Sequence, residues 1–181
     1  MTILNSLRIL KRRYYIIKYG LKHVDKTFIA TSKCSISKDF KAGKYSYVGP
    51  NSHIYPKVTI GKYTMLANNV SIIGGDHCYK KVGIPIIFSG RAELKPTIIG
   101  DDVWIGAHTI IMTGTKIGNG VIVAAGSVVT KDLPSYGIYG GIPAKLIKMR
   151  FTEEEIKRHE SMLNLRPSEL PKNIIQILRK A

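Results

Sequence analysis

Aliphatic residues recur every six positions over most of this chain, and this period constrains the fold more than any other feature of the sequence. A β-strand repeats every two residues, so a period of six requires a corner once in each repeat. An extended chain that turns at regular intervals winds into a coil. The fourteen aliphatic or alanine positions are Ala30, Ile36, Ala42, Val48, Ile54, Ile60, Leu66, Ile72, Ile99, Ile105, Ile111, Ile117, Val123 and Val129.

The other positions of the hexad support the same winding. Three hexads close one triangular coil, so fourteen hexads predict between four and five coils, stacked about 4.8 Å apart. Glycines that directly follow the aliphatic position predict sharp corners with positive φ, at Gly43, Gly49, Gly61, Gly100, Gly106 and Gly118. Slim residues four positions after the aliphatic one predict a second inward position, at Ser46, Ser52, Val58, Thr64, Val70, Val103, Thr109, Thr115, Val121 and Ser127.

The repeat is interrupted once. Ile72 and Ile99 are 27 residues apart, which is not a multiple of six, so residues 73–98 are predicted to contain a projecting loop. In repeat folds, insertions collect on one face and often carry the binding site. This loop holds Asp76, His77, Cys78 and Tyr79.

The two ends of the chain differ from the repeat. Residues 1–22 predict an amphipathic helix that either covers the open end of the main domain or binds anionic lipid. Residues 23–150 form the predicted β-helix domain, and residues 151–181 a helical tail in which Thr152 is the N-cap and Glu155 its capping-box partner. The apolar stripe of the first helix is Ile3, Leu7, Leu10, Tyr14, Ile17 and Leu21, among the cations Arg8, Lys11, Arg12, Arg13, Lys18 and Lys22.

Composition limits the partners and the compartment. The chain has 181 residues, with 28 Lys and Arg against 12 Asp and Glu, so its net charge of +16 predicts an anionic partner. Two cysteines are too few for a disulfide scaffold, which favours a reducing cytoplasm, with peripheral contact at the inner membrane face left open. No apolar run is long enough for a transmembrane helix. The scattered cations form no nucleic-acid-binding motif, so nucleic acid is not an expected partner.

Two segments carry a family resemblance. They are IGDDVWIGAHTIIMTGTKIGNGVIVAAGSVVTKDLP from residue 99 and GIPAKLIK from residue 141. They resemble the hexapeptide-repeat O-acetyltransferases, especially the branch similar to xenobiotic, chloramphenicol and streptogramin acetyltransferases and to galactoside and polysaccharide acetyltransferases. The resemblance implies a left-handed parallel β-helix, a homotrimer with active sites between subunits, and acetyl-CoA as co-substrate.

The resemblance also implies roles for individual residues. His77, in the sequence GGDHCY, matches the family's general base, which deprotonates the acceptor hydroxyl. An imidazole titrating near pH 6.5 suits this exchange. The other family positions concern acetyl-CoA. Trp104, Gly106 and Ala107 match the residues along the pantetheine arm, where a backbone amide stabilises the oxyanion. Further contacts match Ala125, Thr130 and Lys131, and the basic pair near the adenosine phosphates matches Lys145 and Lys148.

Other interpretations of the aromatic residues stay open. His77 also fits a structural loop histidine. His108 and His53 occupy hexad positions, where a surface or interface residue is more common than a catalytic one. Trp104 also fits a purely structural place in a subunit interface.

The neighbours of His77 have alternatives too. Asp76 is a candidate to orient His77, and Cys78 a candidate nucleophile, but adjacent side chains on an extended chain point apart. Direct transfer also needs no acyl-enzyme. Lys80 and Lys81 fit either a solvated cationic rim or a group that attracts an acidic acceptor.

Three functions compete. The favoured one is acetyl transfer to a hydroxyl of a sugar or surface-polysaccharide precursor, and an antibiotic hydroxyl is the alternative acceptor. A zinc hydratase similar to the γ-class carbonic anhydrases needs three imidazoles, two of them close in sequence, but His53, His77 and His108 are separated by 24 and 31 residues. No metal is therefore predicted. A non-enzymatic alternative is a basic scaffold that binds membrane.

Overall fold

The structure, a computed structural model, describes residues 13–165 and residue 169. The chain divides into two units, residues 1–150 and residues 151–181. The strands of the first unit are β1 (His23–Val24), β2 (Ile29–Ala30), β3 (Ser35–Ile36), β4 (Lys41–Ala42), β5 (Tyr47–Val48), β6 (His53–Ile54), β7 (Val58–Ile60), β8 (Met65–Leu66), β9 (Ser71–Ile73), β10 (Thr97–Ile99), β11 (Trp104–Ile105), β12 (Ile110–Met112), β13 (Lys116–Ile117), β14 (Ile122–Val123), β15 (Val128–Val129), β16 (Gly137–Gly140) and β17 (Lys145–Met149).

These strands form three sheets that run along a triangular parallel β-helix. Sheet A contains β1, β4, β7, β10 and β13, sheet B contains β2, β5, β8, β11, β14, β16 and β17, and sheet C contains β3, β6, β9, β12 and β15. Pairing partners lie three hexads apart, as His23 with Lys41 and Ile29 with Tyr47. The predicted fold class is confirmed in its parallel winding, its projecting loop and its terminal helices.

The number of coils exceeds the prediction of between four and five. Strands β1 to β15 complete five coils, and β16 begins a sixth. The first strand adds a hexad position at Val24, before the predicted series begins. The last coil does not follow the period of six. Val123 pairs with Tyr139, which lies two residues before the position that a full coil would pair with Val123. Strand β17 then turns back antiparallel to β16 and ends sheet B.

The core of the β-helix consists of the two predicted inward positions. All fourteen aliphatic or alanine positions are buried, and so are the ten slim positions. The buried hydroxyls among them are satisfied locally, since Ser52 Oγ donates to Gly49 O at 2.9 Å and Thr109 Oγ1 to Gly106 O at 2.8 Å. A polar side chain in the core thereby avoids the cost of an unmade hydrogen bond.

The glycines after the aliphatic position serve a different purpose from the predicted one. Their φ angles are not positive; the left-handed conformation falls two residues later in the hexad, as at Tyr45 and His108. A Cβ added to Gly43 would lie 2.5 Å from the backbone nitrogen of Lys62 in the next coil. Glycine is required here because adjacent coils approach too closely for any side chain.

The N-terminal helix is described only from residue 13, and α1 therefore denotes residues 13–18. Tyr15, Ile16 and Tyr19 pack against the core, and Tyr19 Oη donates to Thr31 O at 2.8 Å. The helix therefore packs on the core, but not through the predicted stripe, because the stripe residues Tyr14 and Ile17 are exposed on its other side. The predicted positions Ile3, Leu7, Leu10, Arg8, Lys11 and Arg12 lie outside the described residues.

The second unit contains helix α2 (Glu153–Leu163). Thr152 is its N-cap: the Glu155 N–H donates to Thr152 Oγ1, and the Thr152 N–H donates to Glu155 Oε2 at 2.8 Å. The predicted capping box is confirmed. Across the described residues, no helix is both long and apolar enough to cross a membrane.

Candidate functional site

The projecting loop leaves sheet C after β9 and returns to sheet A at β10. A short antiparallel ladder closes its base, with His77 bridged to Arg91. The Cys78 N–H donates to Gly90 O at 2.9 Å, and the Ala92 N–H donates to Asp76 O at 2.8 Å. The backbone of His77 is thus held between two hydrogen bonds although the loop around it is long.

The two ring nitrogens of His77 lie in different environments. Nδ1 is buried and has no hydrogen-bond partner among the described residues. The side chain as a whole is partly exposed. Nε2 is not buried in this way, so it is the ring nitrogen open to solvent.

The alternatives for the neighbouring residues separate on this geometry. The Asp76 carboxylate is not bonded to His77 Nδ1, so the predicted orienting contact is absent within the described chain. Cys78 and Cys34 are both free thiols. His108 is exposed at a corner, where its Nε2 lies 3.3 Å from Asn69 Nδ2, and the ring of exposed His53 contacts that of Tyr55. Neither His108 nor His53 lies on the projecting loop.

Trp104 points outward from sheet B. It lies in β11 between Met65 of β8 and Ile122 of β14, and its side chain is 50% exposed. Its neighbours along the sheet are also apolar. The outward row of sheet B, which we call the sheet B ladder, is Ile29, Tyr47, Met65, Trp104, Ile122 and Ile138.

Gly106, Ala107 and Ala125 stack in consecutive coils at the corners between sheets B and C, which we call the B–C edge. The Gly106 N–H donates to Val123 O at 2.8 Å, and the Gly126 N–H donates to Ala107 O at 2.8 Å. A Cβ on Gly106 would lie 2.5 Å from the backbone nitrogen of Ala125. The Gly106 amide is thus consumed by the β-helix and cannot serve as an oxyanion donor, whereas the Ala107 N–H makes no hydrogen bond within the described chain.

The remaining predicted acetyl-CoA contacts lie elsewhere. Thr130 and Lys131 are exposed and directly follow β15, at the corner where sheet C passes to the next coil, which we call the C–A edge. The loop that carries His77 leaves the same edge after β9. Lys145 and Lys148 are exposed on β17, the outermost strand of sheet B.

The predicted site residues therefore form two groups in one chain. His77, Thr130 and Lys131 lie at the C–A edge. The second group lies on sheet B and at the B–C edge: Trp104, Gly106, Ala107, Ala125, Lys145 and Lys148. Sheet C separates the two edges, so one chain does not bring both groups together.

Sequence reasoning missed two apolar surfaces. One is the sheet B ladder, whose signal is an apolar residue just before the inward aliphatic position in every third hexad. The other is the loop tip, whose signal is the apolar run IPIIF inside a loop. The exposed apolar side chains of the tip are Tyr79, Val82, Ile84, Ile86, Ile87 and Phe88, the last three in a 3₁₀ turn (Ile86–Phe88).

Metal ligands are not grouped in the part of the chain that the structure describes. No three His, Cys, Asp or Glu side chains there are placed to hold one ion. His77, His108 and His53 occupy three different elements.

Comparison with known proteins agrees with the repeat. The family model described as bacterial transferase hexapeptide, six repeats, matches residues 43–74 and 96–131. A probable macrolide acetyltransferase of Lysinibacillus sphaericus is 38% identical over 128 residues, which span 62% of this chain and 68% of that protein. The chain belongs to the bacterial hexapeptide-repeat transferase family. The match to the family lies in the coils on both sides of the projecting loop.

Two further family members set the range of similarity. A chloramphenicol acetyltransferase of Klebsiella aerogenes is 57% identical over 60 residues, which cover 33% of this chain and 29% of that relative. The chain thus matches less than a third of the length of that relative. A maltose O-acetyltransferase from Clostridium difficile has a similar structure, with a TM-score of 0.61 and 26% identity over 81% of this chain and 90% of the other.

Proposed function

We propose that this protein transfers an acetyl group from acetyl-CoA to a hydroxyl of a sugar or surface-polysaccharide precursor, with His77 as the general base. The observation that carries the proposal is the position of His77, at the closed base of the loop with only Nε2 facing outward. The names of the similar proteins, which are acetyltransferases, support the reaction class.

The proposed transfer is direct. Nε2 of His77 accepts the proton of the acceptor hydroxyl while the hydroxyl oxygen forms a bond to the thioester carbonyl carbon. The carbon–sulfur bond then breaks, and the imidazolium returns the proton to the departing CoA thiolate. No group of the protein becomes acetylated, and a hydroxyl that is a weak nucleophile at neutral pH is activated only as it reacts.

The backbone at the B–C edge offers the electrostatic part of the mechanism. Charge develops on the carbonyl oxygen in the tetrahedral intermediate, and a backbone N–H aimed at this oxygen stabilises it. The Ala107 N–H makes no hydrogen bond within the described chain, while the Gly106 N–H is engaged with Val123. We therefore assign the oxyanion contact to Ala107.

The remaining predicted residues bind acetyl-CoA in this proposal. Trp104 presents an exposed apolar face to the pantetheine arm, and the small Ala125 leaves room beside it. Lys145 and Lys148 are exposed cations available to phosphates. Thr130 and Lys131 contribute from the C–A edge.

A homotrimer unites the two groups of site residues. The C–A edge of one subunit would face the sheet B side of the next, so that His77 meets the acetyl-CoA bound there. The sheet B ladder supplies an apolar surface for such an interface. For Nε2 to act as base, the ring proton resides on Nδ1, and this buried N–H needs an acceptor that the described chain does not provide. We infer that a neighbouring subunit or the bound acetyl acceptor supplies this hydrogen-bond acceptor.

An antibiotic hydroxyl is the second candidate acceptor. The loop tip favours it, because exposed Ile86, Ile87 and Phe88 suit an apolar molecule better than a polar sugar. The relatives described as chloramphenicol and macrolide acetyltransferases agree with this alternative. The proposed compartment is the reducing cytoplasm, which the two free thiols allow.

The test is a panel assay with acetyl-CoA and either sugars and polysaccharide precursors or chloramphenicol and macrolides. Product mass and released CoA thiol report transfer. His77→Ala should lower turnover at least about 10²-fold, with the affinity for acetyl-CoA nearly unchanged. His53→Ala is the matched control, because His53 is an exposed histidine of the same β-helix outside the loop and away from the assigned site residues.

Four outcomes would reject or revise parts of the proposal. Full turnover in His77→Ala would reject His77 as the general base, and an equal loss in His53→Ala would point to a nonspecific effect. Acetylation of the antibiotics alone would replace the glycan acceptor by the second candidate. Absence of transfer to any acceptor, with CoA bound, would leave the membrane-binding scaffold as the better function.

A further inference from the structure

Positive charge is distributed unevenly along the β-helix. Residues 13–44, which comprise α1, the first coil and the start of the second, contain eight Lys and Arg against two Asp. Residues 97–150, at the other end, contain five against three. All eight cations of the first segment are exposed: Arg13, Lys18, Lys22, Lys26, Lys33, Lys38, Lys41 and Lys44.

The first coil places a lysine at each of its three corners. Lys26 lies between β1 and β2, Lys33 between β2 and β3, and Lys38 between β3 and β4. The acidic residues of this segment are engaged locally. Asp25 accepts hydrogen bonds from the N–H and hydroxyl of Thr27, and Asp39 accepts from Ser37 Oγ and the Lys57 N–H. The terminal coil is therefore edged by cations that no described salt bridge neutralises.

Helix α1 adds apolar surface to this cationic end. One side of the helix packs on the core through Tyr15 and Ile16. The opposite side leaves Tyr14 57% exposed and Ile17 77% exposed. Lys18 Nζ lies 5.7 Å from the centre of the Tyr14 ring, and the aliphatic stem of Lys38 lies against Gly20, just after the helix.

We propose that this end of the β-helix, defined by Tyr14, Ile17, Lys26, Lys33 and Lys38, docks on an anionic phospholipid surface. Apolar side chains amid cations are the composition of helices that lie in a membrane interface. The lysines meet lipid headgroups, and Tyr14 and Ile17 enter the headgroup region. This inference is independent of the proposed acetyl transfer, because none of the five residues belongs to the candidate site.

Anionic lipid explains the surface better than a soluble polyanion. Charge alone would suit either, but a soluble polyanion gains little from Ile17, an isoleucine left in solvent beside the lysines. A bilayer uses both kinds of side chain at once. The apolar residues therefore decide between the two, and the experiment is built on them.

Co-sedimentation of the full chain with vesicles tests the proposal. One set of vesicles contains phosphatidylglycerol and phosphatidylcholine, and the other contains phosphatidylcholine alone. We expect binding to the anionic set, weakened by salt because exposed charges are screened. The triple variant Lys26→Glu, Lys33→Glu, Lys38→Glu should lose about two orders of magnitude in affinity, since each cation near the surface adds about 1 kcal/mol.

Matched variants control for charge and for folding. Lys80→Glu, Lys95→Glu, Lys116→Glu changes the net charge equally on exposed lysines of later segments, and it should retain most of the binding. Ile17→Ser should weaken binding at a salt concentration where electrostatic attraction is reduced. Ile87→Ser, in the loop tip with a similar exposure of 73%, should not. Thermal melting curves verify that each variant is folded.

Several results would overturn the proposal. Equal binding to both vesicle sets, or equal loss in the two triple variants, would remove the localised surface. Weaker vesicle binding by Ile87→Ser, with binding by Ile17→Ser unchanged, would place the membrane contact at the loop tip. Full competition by a soluble polyanion, with Ile17→Ser unchanged, would identify a polyanion site. Acetyl transfer to a soluble acceptor is measured in parallel and should stay unchanged in Ile17→Ser.

Discussion

His77 lies opposite Arg91 in an antiparallel bridge, and the hydrogen bonds on either side of this pair close the base of the projecting loop. The loop is long and its tip is exposed, yet the histidine is placed by backbone contacts at its hydrogen-bonded base. A group that must reach a hydroxyl at hydrogen-bond distance benefits from such placement. The position of His77 thus depends on the backbone hydrogen bonds of its neighbours Cys78 and Asp76.

The first prediction concerns this ladder. Ala92→Pro removes the N–H that donates to Asp76 O and should displace His77. We expect kcat to fall about 10- to 100-fold with KM for acetyl-CoA nearly unchanged. Ala92→Ser keeps the N–H and is the control. Wild-type kcat in a folded Ala92→Pro enzyme would show that the ladder does not position the base.

The second prediction concerns CoA binding. Lys145→Ala combined with Lys148→Ala should weaken acetyl-CoA affinity about 3- to 10-fold at low salt, and less at high salt, because exposed charge pairs are screened. Isothermal titration at two salt concentrations measures the effect. Lys95→Ala combined with Lys116→Ala, which removes two exposed cations elsewhere, should have little effect. A loss that does not depend on salt would indicate misfolding and not a lost phosphate contact.

The third prediction concerns the proposed trimer. Met65→Asp places a charge in the middle of the sheet B ladder, between Tyr47 and Trp104. A charge at the core of an apolar interface should dissociate the assembly, as measured by analytical ultracentrifugation. Thr59→Asp, which faces outward on sheet A between Lys41 and Ile98, should leave the assembly intact. A Met65→Asp trimer would move the interface away from sheet B.

The fourth prediction separates two roles of glycine in the β-helix. Gly43→Ala forces a methyl group to within 2.5 Å of the Lys62 backbone nitrogen, and should lower the free energy of unfolding by about 2 kcal/mol. Gly126 has φ of +71° and no atom within 4 Å of an added Cβ. Gly126→Ala should therefore lower the free energy of unfolding by only about 1 kcal/mol. Chemical denaturation compares the two variants.

The outcome for Asn at position 126 checks the same distinction. Gly126→Asn should be milder than Gly126→Ala, because Asn tolerates the left-handed conformation and occupies it at Asn51 and Asn69 in this chain. Equal destabilisation by Gly43→Ala and Gly126→Ala would mean that coil contact and φ strain cannot be separated here.

The local sequence was sufficient for the interior. Positions such as Ile54 and Thr109 occupy the same environment in every coil, so a strict period reveals burial directly. The loop was equally visible, because an insertion breaks the period. The first strand and the last coil were missed, since a single hexad at Val24 or a shortened coil before Tyr139 leaves no period to detect.

The candidate site could be predicted only in part. His77 was predicted as the base from its motif, but no local pattern distinguishes the amide of Gly106, which bonds to Val123, from that of Ala107, which does not. Hydrogen bonds between coils join residues far apart in sequence, and so they are set by register. The glycines that follow the aliphatic positions were predicted to adopt positive φ. Their role is instead to allow close contact with the next coil.

The spacing of neighbouring residues was enough to predict the winding, the two inward positions, the interrupting loop and the capping box of α2. The folded chain was needed to show which side of α1 packs on the core, which nitrogen of His77 is buried, and which edge carries each site residue. Those features depend on where one coil meets another, since each hexad of winding moves the chain to the next face of the β-helix.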